Sequence, residues 1–112
     1  MNSYQLGFLY ELRAARLVRA RGYRVLARRY RARDGEIDLI ARDGDAVVFI
    51  EVKARPAAGL GGGADAVTME KRRRIRRAAD AYLQRKAISE APCRFDIIEF
   101  TRAGARYIEN AF

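Results

Sequence analysis

Between residues 4 and 21, apolar side chains recur at steps of three and four: Leu6, Leu9, Tyr10, Ala14 and Leu17, with the Arg13 stem among them. That period predicts an amphipathic helix, and Gly22 supplies its stop. Tyr23, Val25 and Tyr30 mark a first strand over about residues 23–31, despite the arginines between them. The period then shortens to two. Residues 36–41 and 46–54 read as second and third strands, with Asp43-Gly44 as the hairpin turn between them. Pro56 ends the third strand, and the glycines of residues 59–63 predict a mobile flap or linker. A second helix is expected from about Asp65 or Thr68 to about Ala87, with Ile75, Ala78, Ala79, Tyr82 and Leu83 as its inward stripe. Residues 94–100 and 105–110 close the chain as two strands around a turn at Ala103-Gly104. The order α-β-β-β-α-β-β, without internal repeats, predicts an α/β fold: one domain over residues 1–112, a mixed sheet flanked by helices.

A chain of 112 residues supports one modest core, and half of its residues are apolar with only 2 Pro, a globular composition. The zeros exclude whole classes of chemistry. With no His there is no Ser-His-Asp or Cys-His nucleophile system and no histidine general base. A single Cys, Cys93, excludes a disulfide framework and a four-cysteine zinc site, and it reads as a small strand-entry residue. The longest purely apolar run, residues 46–50, falls far short of the ~20 residues that span a bilayer. No apolar leader precedes Arg13, so the expectation is a soluble, cytoplasmic chain without membrane partners. Chemistry is left to carboxylates, lysine, arginine, hydroxyls or an oxygen-held metal.

The formal net charge is +9, and it is unevenly spread. Residues 1–33 hold nine Arg and one Glu, residues 34–70 hold three basic and eight acidic groups, and residues 71–86 hold eight basic groups against Asp80. Part of the arginine excess, 20 Arg beside 20 Ala, is what a GC-rich genome produces through codon bias. The two basic segments nevertheless favour a polyanion, with nucleic acid the expected partner. Lys71, Arg72, Arg73, Arg74, Arg76 and Arg77 put six basic residues in seven positions of the second helix, so Ile75 must face inward with the arginines wrapped around it. Arginine forks suit phosphates, and like charges at these spacings weaken a helix that lacks a counter-anion. These six are the candidate nucleic-acid-binding residues. The glycine loop lacks the Lys-Ser/Thr of a P-loop and is no nucleotide site.

The acidic centre carries the candidate chemistry. Strand residues two apart share a face, so Glu36 goes with Asp38 and Glu51 with Lys53, while Ile37, Leu39, Val48, Ile50 and Val52 take the other face. A two- or four-residue loop sets Glu36 opposite Glu51 and Asp38 opposite Phe49, and a longer even loop sets Asp38 opposite Glu51. Either register gathers the four ionisable groups on one face. Three carboxylates so placed repel one another unless a cation joins them. Lys53 is one, and a hard divalent ion with oxygen ligands, Mg²⁺ or Mn²⁺, is the natural second. Glu11 falls on the inward edge of the first helix with no arginine four residues on, where Ala15 stands, so a cation or Lys53 is its expected partner. Asp96 is expected to play a structural role beside Arg94 or a helix arginine.

Asp38 followed by Glu51-Val52-Lys53 resembles the D…E-x-K core of the PD-(D/E)xK nuclease superfamily. The chain as a whole resembles the YraN-like family of small bacterial proteins, relatives of archaeal Holliday-junction resolvases. The matching stretches are Gly7-x-x-Tyr10-Glu11-x-x-Ala14, Gly22-Tyr23, Gly35-Glu36-Ile37-Asp38-Leu39-Ile40, Val48-Phe49-Ile50-Glu51-Val52-Lys53-x-Arg55, Ala66-Val67-x-x-x-Lys71 and Arg94-Phe95-Asp96. The resemblance implies a restriction-endonuclease-like fold and a metal-dependent nuclease site. Asp38 and Glu51 would be its metal ligands, Lys53 and Glu11 further catalytic residues, and Glu36 and Arg55 supporting groups. It also implies DNA, branched DNA included, as substrate, and a homodimer that acts on two strands. This chain departs from the family pattern at Tyr10, commonly Gly, and at Arg29, commonly Asn. The expected function is a metal-dependent nuclease. Its rivals are a non-catalytic nucleic-acid-binding module on the same fold and an interaction subunit for an acidic protein partner.

Overall fold

Asn2 starts the first helix, α1 (Ser3–Ala20), with a reciprocal capping box: its side chain accepts the Gln5 N–H at 2.8 Å while Gln5 Oε1 accepts the Asn2 N–H at 3.0 Å. At the other end the Gly22 N–H bonds the Arg19 carbonyl and the Tyr23 N–H bonds the Val18 carbonyl, with Gly22 at φ +89°. This is the Schellman closure that a left-handed glycine permits, and it places the helix stop where the sequence predicts it. The computed structural model describes residues 1–55 and 67–112. The expected strand end at Pro56, the flap at residues 59–63 and a helix start at Asp65 lie outside the described residues. The second helix, α2 (Met69–Arg85), begins at Thr68, whose Oγ1 accepts the Lys71 N–H at 3.2 Å.

Five strands, β1 (Arg24–Arg31), β2 (Glu36–Asp43), β3 (Ala46–Arg55), β4 (Cys93–Thr101) and β5 (Gly104–Ile108), form one sheet in the order β1-β2-β3-β4-β5. The pair β3 and β4 is parallel and the other pairs are antiparallel. A parallel pair needs a crossover, and α2 lies in that connection. The mixed sheet with two helices in the order α-β-β-β-α-β-β is the arrangement read from the sequence. One face of the sheet, with Ile40, Val47, Phe49 and Ile97, packs on Ile75, Ala78, Ala79, Tyr82 and Leu83 of α2, the stripe the sequence predicts. The other face, with Leu39, Ala41, Val48, Ile50 and Ile98, packs on α1. No described helix is long and apolar enough to cross a membrane.

Three local expectations are corrected. The inward face of α1 is Glu11, Ala14, Ala15 and Val18, while Leu6 and Leu9 are 37% and 41% exposed. Small side chains let a helix settle closely on a sheet face already filled by branched residues, and hydrophobicity alone underrates alanine. The β2–β3 turn is Gly44-Asp45, between the paired Asp43 and Ala46, one residue later than expected. Gly44 then holds the first central position at φ +58°, where a two-residue hairpin turn calls for glycine. The tight turn therefore delivers the register expected only of a longer loop, with Leu39 opposite Ile50 and Ile40 opposite Phe49. Finally, Ile37 packs with the α2 cluster and Leu39 with the α1 cluster, so strict alternation fails around Asp38.

Candidate functional site

That failure of alternation opens the site. The β2–β3 ladder ends at Leu39 and Ile50, and one step on, the Asp38 side chain instead accepts the Val52 N–H at 2.8 Å. The strands fork at Asp38, which lines cavities on both sides of the fork. On the α2 side an open cavity of about 360 Å³ is lined by Asp38, Glu36, Glu51, Lys71, Arg74 and Ile75, with Asp34 and Gly35 at its rim. A Cβ on Gly35 would meet the Arg74 carbonyl at 2.9 Å, so the loop approaches α2 closely only because that residue is glycine.

Glu51, 6% exposed, reaches Lys71 of α2, with Lys71 Nζ 3.1 Å from Glu51 Oε1. Lys53 lies beside Lys71 and within the field of Glu51 and Asp38. Asp38, Glu51, Lys53 and Lys71 are thus brought together. Burial, then the Glu51 charge and a hydrogen bond shared with Glu51, push the Asp38 carboxyl up to about 7, against the Val52 N–H and Lys71. Burial and the neighbouring Lys71 pull Lys53 below the ordinary lysine value. At Lys71 burial opposes the charge, but Glu51 and the rest of the cluster hold its pKa above the ordinary value. Asp38 thus holds its proton more tightly than an ordinary carboxyl does, with Glu51 and two lysines beside it.

The other expected residues divide. Glu11 is buried on α1 and receives the Arg29 Nε at 2.6 Å, so its partner is an arginine of β1 and not Lys53. Arg29 holds φ +50°, a left-handed conformation that asparagine tolerates better than arginine. The pair lines a second cavity of about 190 Å³ on the α1 side with Gly7, Tyr10, Val52 and Ala54, and that cavity also touches Asp38 and Glu36. Glu36 lies on both cavities but turns to Arg31 at 3.4 Å, and Arg55 is exposed at the end of β3. Three carboxylates in one cluster are therefore not found: among the described residues there is no group of three or more metal-ligating side chains, and the close pair is Asp38 with Glu51.

Of the basic run on α2, Lys71 belongs to the cluster, and Arg72 donates its Nε to the Val67 carbonyl at 2.9 Å. Arg76 lies over the Phe95 and Phe112 rings, while Arg73, Arg74 and Arg77 are exposed, with Arg74 at the cavity. Ile75 faces inward at 3% exposure, as the sequence requires. Asp96 lies away from the site, fully buried, and receives Arg94, the Tyr107 hydroxyl and the Asn110 N–H. Cys93 begins β4 and is exposed.

Sequence reasoning placed Lys71 in the phosphate-binding run and not beside Glu51, and it passed over Glu99. Lys71 occupies the third position of α2, where the helix dipole disfavours a cation unless a carboxylate receives it, and that was its signal. Glu99, fully buried on β4 at the register position of Lys53, interrupts the apolar run Ile97-Ile98-Glu99-Phe100.

The raised Asp38 pKa makes a prediction about the metal-free protein. A carboxyl raised from 3.8 to about 7 favours the folded state fully below pH 4, and that contribution is lost as pH rises through about 7. The gap corresponds to at most ~4 kcal/mol. Thermal unfolding in chelator should give a Tm several degrees lower at pH 8 than at pH 5, and Asp38→Asn should remove most of the difference. An unchanged pH dependence in Asp38→Asn would place the effect elsewhere.

The chain matches the family described as "Uncharacterised protein family UPF0102" over residues 10–100, an interval that contains Glu11, Asp38, Glu51, Lys53 and Lys71. It is 45% identical to UPF0102 protein STH1475 of Symbiobacterium thermophilum, with 98% of each chain covered. It is 40% identical to a UPF0102 protein of Hahella chejuensis, across 100% of this chain and 93% of that protein. A UPF0102 protein of Lachnoclostridium phytofermentans is 42% identical, with 100% and 96% covered.

Proposed function

The chain belongs to the UPF0102 family, the YraN-like family its motifs resemble, and from the fork between β2 and β3 we propose that it is a divalent-metal-dependent nuclease acting on branched or otherwise structured DNA. The observation that carries this reading is the pair Asp38 and Glu51, two carboxyl groups lining one open cavity beside two lysines. A fold gains nothing from such a pair, since one member must stay protonated or repel the other. An ion gains from it. Mg²⁺ and Mn²⁺ are commonly held by one or two carboxylates, with water and substrate phosphate as further ligands, and the donor set here fits. When bound, such an ion polarises the phosphodiester and offsets its developing charge.

The protein's own groups supply the rest. Lys71 holds Glu51 in place, and if Glu51 held a cation the Lys71 ammonium would be free to meet the phosphate. Lys53, its charge disfavoured by burial and by Lys71, sits where an ammonium can orient the attacking water or receive charge from the phosphate. Exposed Arg73, Arg74 and Arg77 extend the basic surface from the cavity along α2 and bind backbone phosphates. One observation favours the rival, a non-catalytic DNA-binding module: Arg29 takes up Glu11, the carboxylate that the resemblance assigns to the site.

The test uses single-stranded, duplex, flap and four-way DNA, with Mg²⁺ or Mn²⁺ and with chelator. Metal-dependent cleavage is expected, strongest on the branched forms. Binding in chelator should fall steeply with salt, and replacing Arg73, Arg74 and Arg77 by Ala should weaken it for all sequences alike and flatten the log–log salt slope by about 3. Binding without cleavage on any substrate selects the module. No binding at low salt removes both nucleic-acid readings and leaves an acidic protein partner.

A further inference from the structure

The inward face of α1 does not stop where the sheet does. Tyr4, Phe8, Glu11 and Ala15 follow one another at steps of four, three and four and share one side of the helix. Glu11 and Ala15 are 7% and 1% exposed, but Tyr4 is 70% and Phe8 44% exposed. The first turns of α1 thus present two exposed aromatic rings. Arg29 reaches up to them, its guanidinium carbon 4.9 Å from the Tyr4 ring centre and 5.7 Å from that of Phe8. The bond from Arg29 to Glu11 fixes the guanidinium there. Arg29 and Glu11 also line the cavity that opens onto Asp38, and at Gly7, between the two rings, nothing lies within 4 Å of where a Cβ would be.

We infer that Tyr4 and Phe8, with Arg29 across them, form a stacking platform for unpaired bases of a DNA strand that leads into the fork at Asp38. The inference rests on the nuclease reading and narrows its substrate to DNA with an exposed single-stranded segment. Charge selects the occupant. Residues 1–33 carry nine Arg and one acidic residue, Glu11, which is buried and paired. A second copy docking through the same face would set two such surfaces against each other. A polyanion is attracted to this surface, and bases bring the flat faces that aromatic rings and guanidinium planes stack on. Bases inside a duplex are already stacked and have no face to offer.

The chain has no Trp, so Tyr4→Trp places one reporter on the platform. Its fluorescence should be quenched by a 20-nucleotide oligodeoxythymidylate in chelator and far less by a blunt duplex of equal length. In the Tyr4→Ala/Phe8→Ala double variant, affinity for the oligodeoxythymidylate should fall about tenfold per ring, with duplex affinity within about twofold of wild type. Because both rings are exposed, the variant should keep the wild-type melting profile, which circular dichroism checks. Equal losses on both DNAs, no loss on either, or no quenching would overturn the platform while leaving the nuclease reading intact. A wild-type dimer in sedimentation that the double variant dissolves would assign the rings to a copy–copy contact and overturn it as well. Ring-dependent binding by a protein that cuts nothing would support the platform and contradict the nuclease. Absence of any wild-type binding would overturn both.

Discussion

Asp38→Ala and Glu51→Ala are each expected to abolish metal-dependent cleavage, while DNA binding in chelator persists or strengthens as repulsion of phosphate falls. Lys53→Ala should keep metal affinity and lose turnover by about 10²–10³, the scale of removing one preorganised group from developing charge. The three variants should differ because, on the proposed reading, the carboxylates would hold the ion and the ammonium would serve the reacting groups. Lys71→Ala separates the two lysines: it frees Glu51, which Lys71 Nζ holds at 3.1 Å, and should raise metal affinity while weakening DNA binding. A cleavage time course on a flap substrate reads all four. If these residues formed only an ion-pair network, the carboxylate variants would lose stability and retain whatever activity the wild type has.

The second large effect lies on the neighbouring strand, where Asp96 of β4 stands at the register position of Ile50. Asp96→Ala should destabilise the fold by about 3–5 kcal/mol, a large part of the 5–15 kcal/mol typical of a domain. Asp96 is fully buried and accepts Arg94 Nε at 3.1 Å, the Asn110 N–H at 3.0 Å and the Tyr107 hydroxyl. Arg94 also bonds Asp43 at 2.8 Å and the Tyr23 hydroxyl at 2.6 Å and so keeps a counter-charge, but one truncation leaves its Nε, the Tyr107 hydroxyl and the Asn110 N–H together without their acceptor. Urea unfolding checks the value, and a loss below about 1 kcal/mol would contradict it. The contrast with Asp38 separates two aspartates of one sheet, Asp96 fully buried and Asp38 half-buried. Asp96 is met by donors on every side and costs stability when removed, whereas Asp38 faces another carboxylate and should stabilise the metal-free protein at pH 8 when replaced by Asn.

The element order was legible because it depends on local periods and stops: the α2 stripe, Gly22, and the alternation in β2 and β3 each follow from neighbours in the chain. That Asp38 and Glu51 share a face was legible for the same reason, but a two-residue turn was expected to set Glu36, not Asp38, opposite Glu51. What escaped depends on contacts between distant elements. The β2–β3 fork breaks the alternation that the period-two argument assumes, and only the packing of Ile37 against the α2 cluster reveals it. Glu11 finds Arg29 eighteen residues on, beyond any helical spacing. Lys71 looked like the first of six phosphate-binding residues because its helix carries the arginines, yet its side chain turns to β3. The arginines themselves divide by what lies under them: Arg76 covers the Phe95 and Phe112 rings, while Arg74 reaches the cavity.

The central claim is that Asp38 and Glu51 form a metal site and not a buried ion pair. Calorimetric titration of Mn²⁺ into the metal-free protein at pH 7, repeated in buffers of different ionisation heat, tests it most directly. One binding site is predicted, with release of the proton that Asp38 retains in part at this pH, and Asp38→Ala and Glu51→Ala should each lose it. Binding that is unchanged in both variants, or binding with no proton released, would contradict the account.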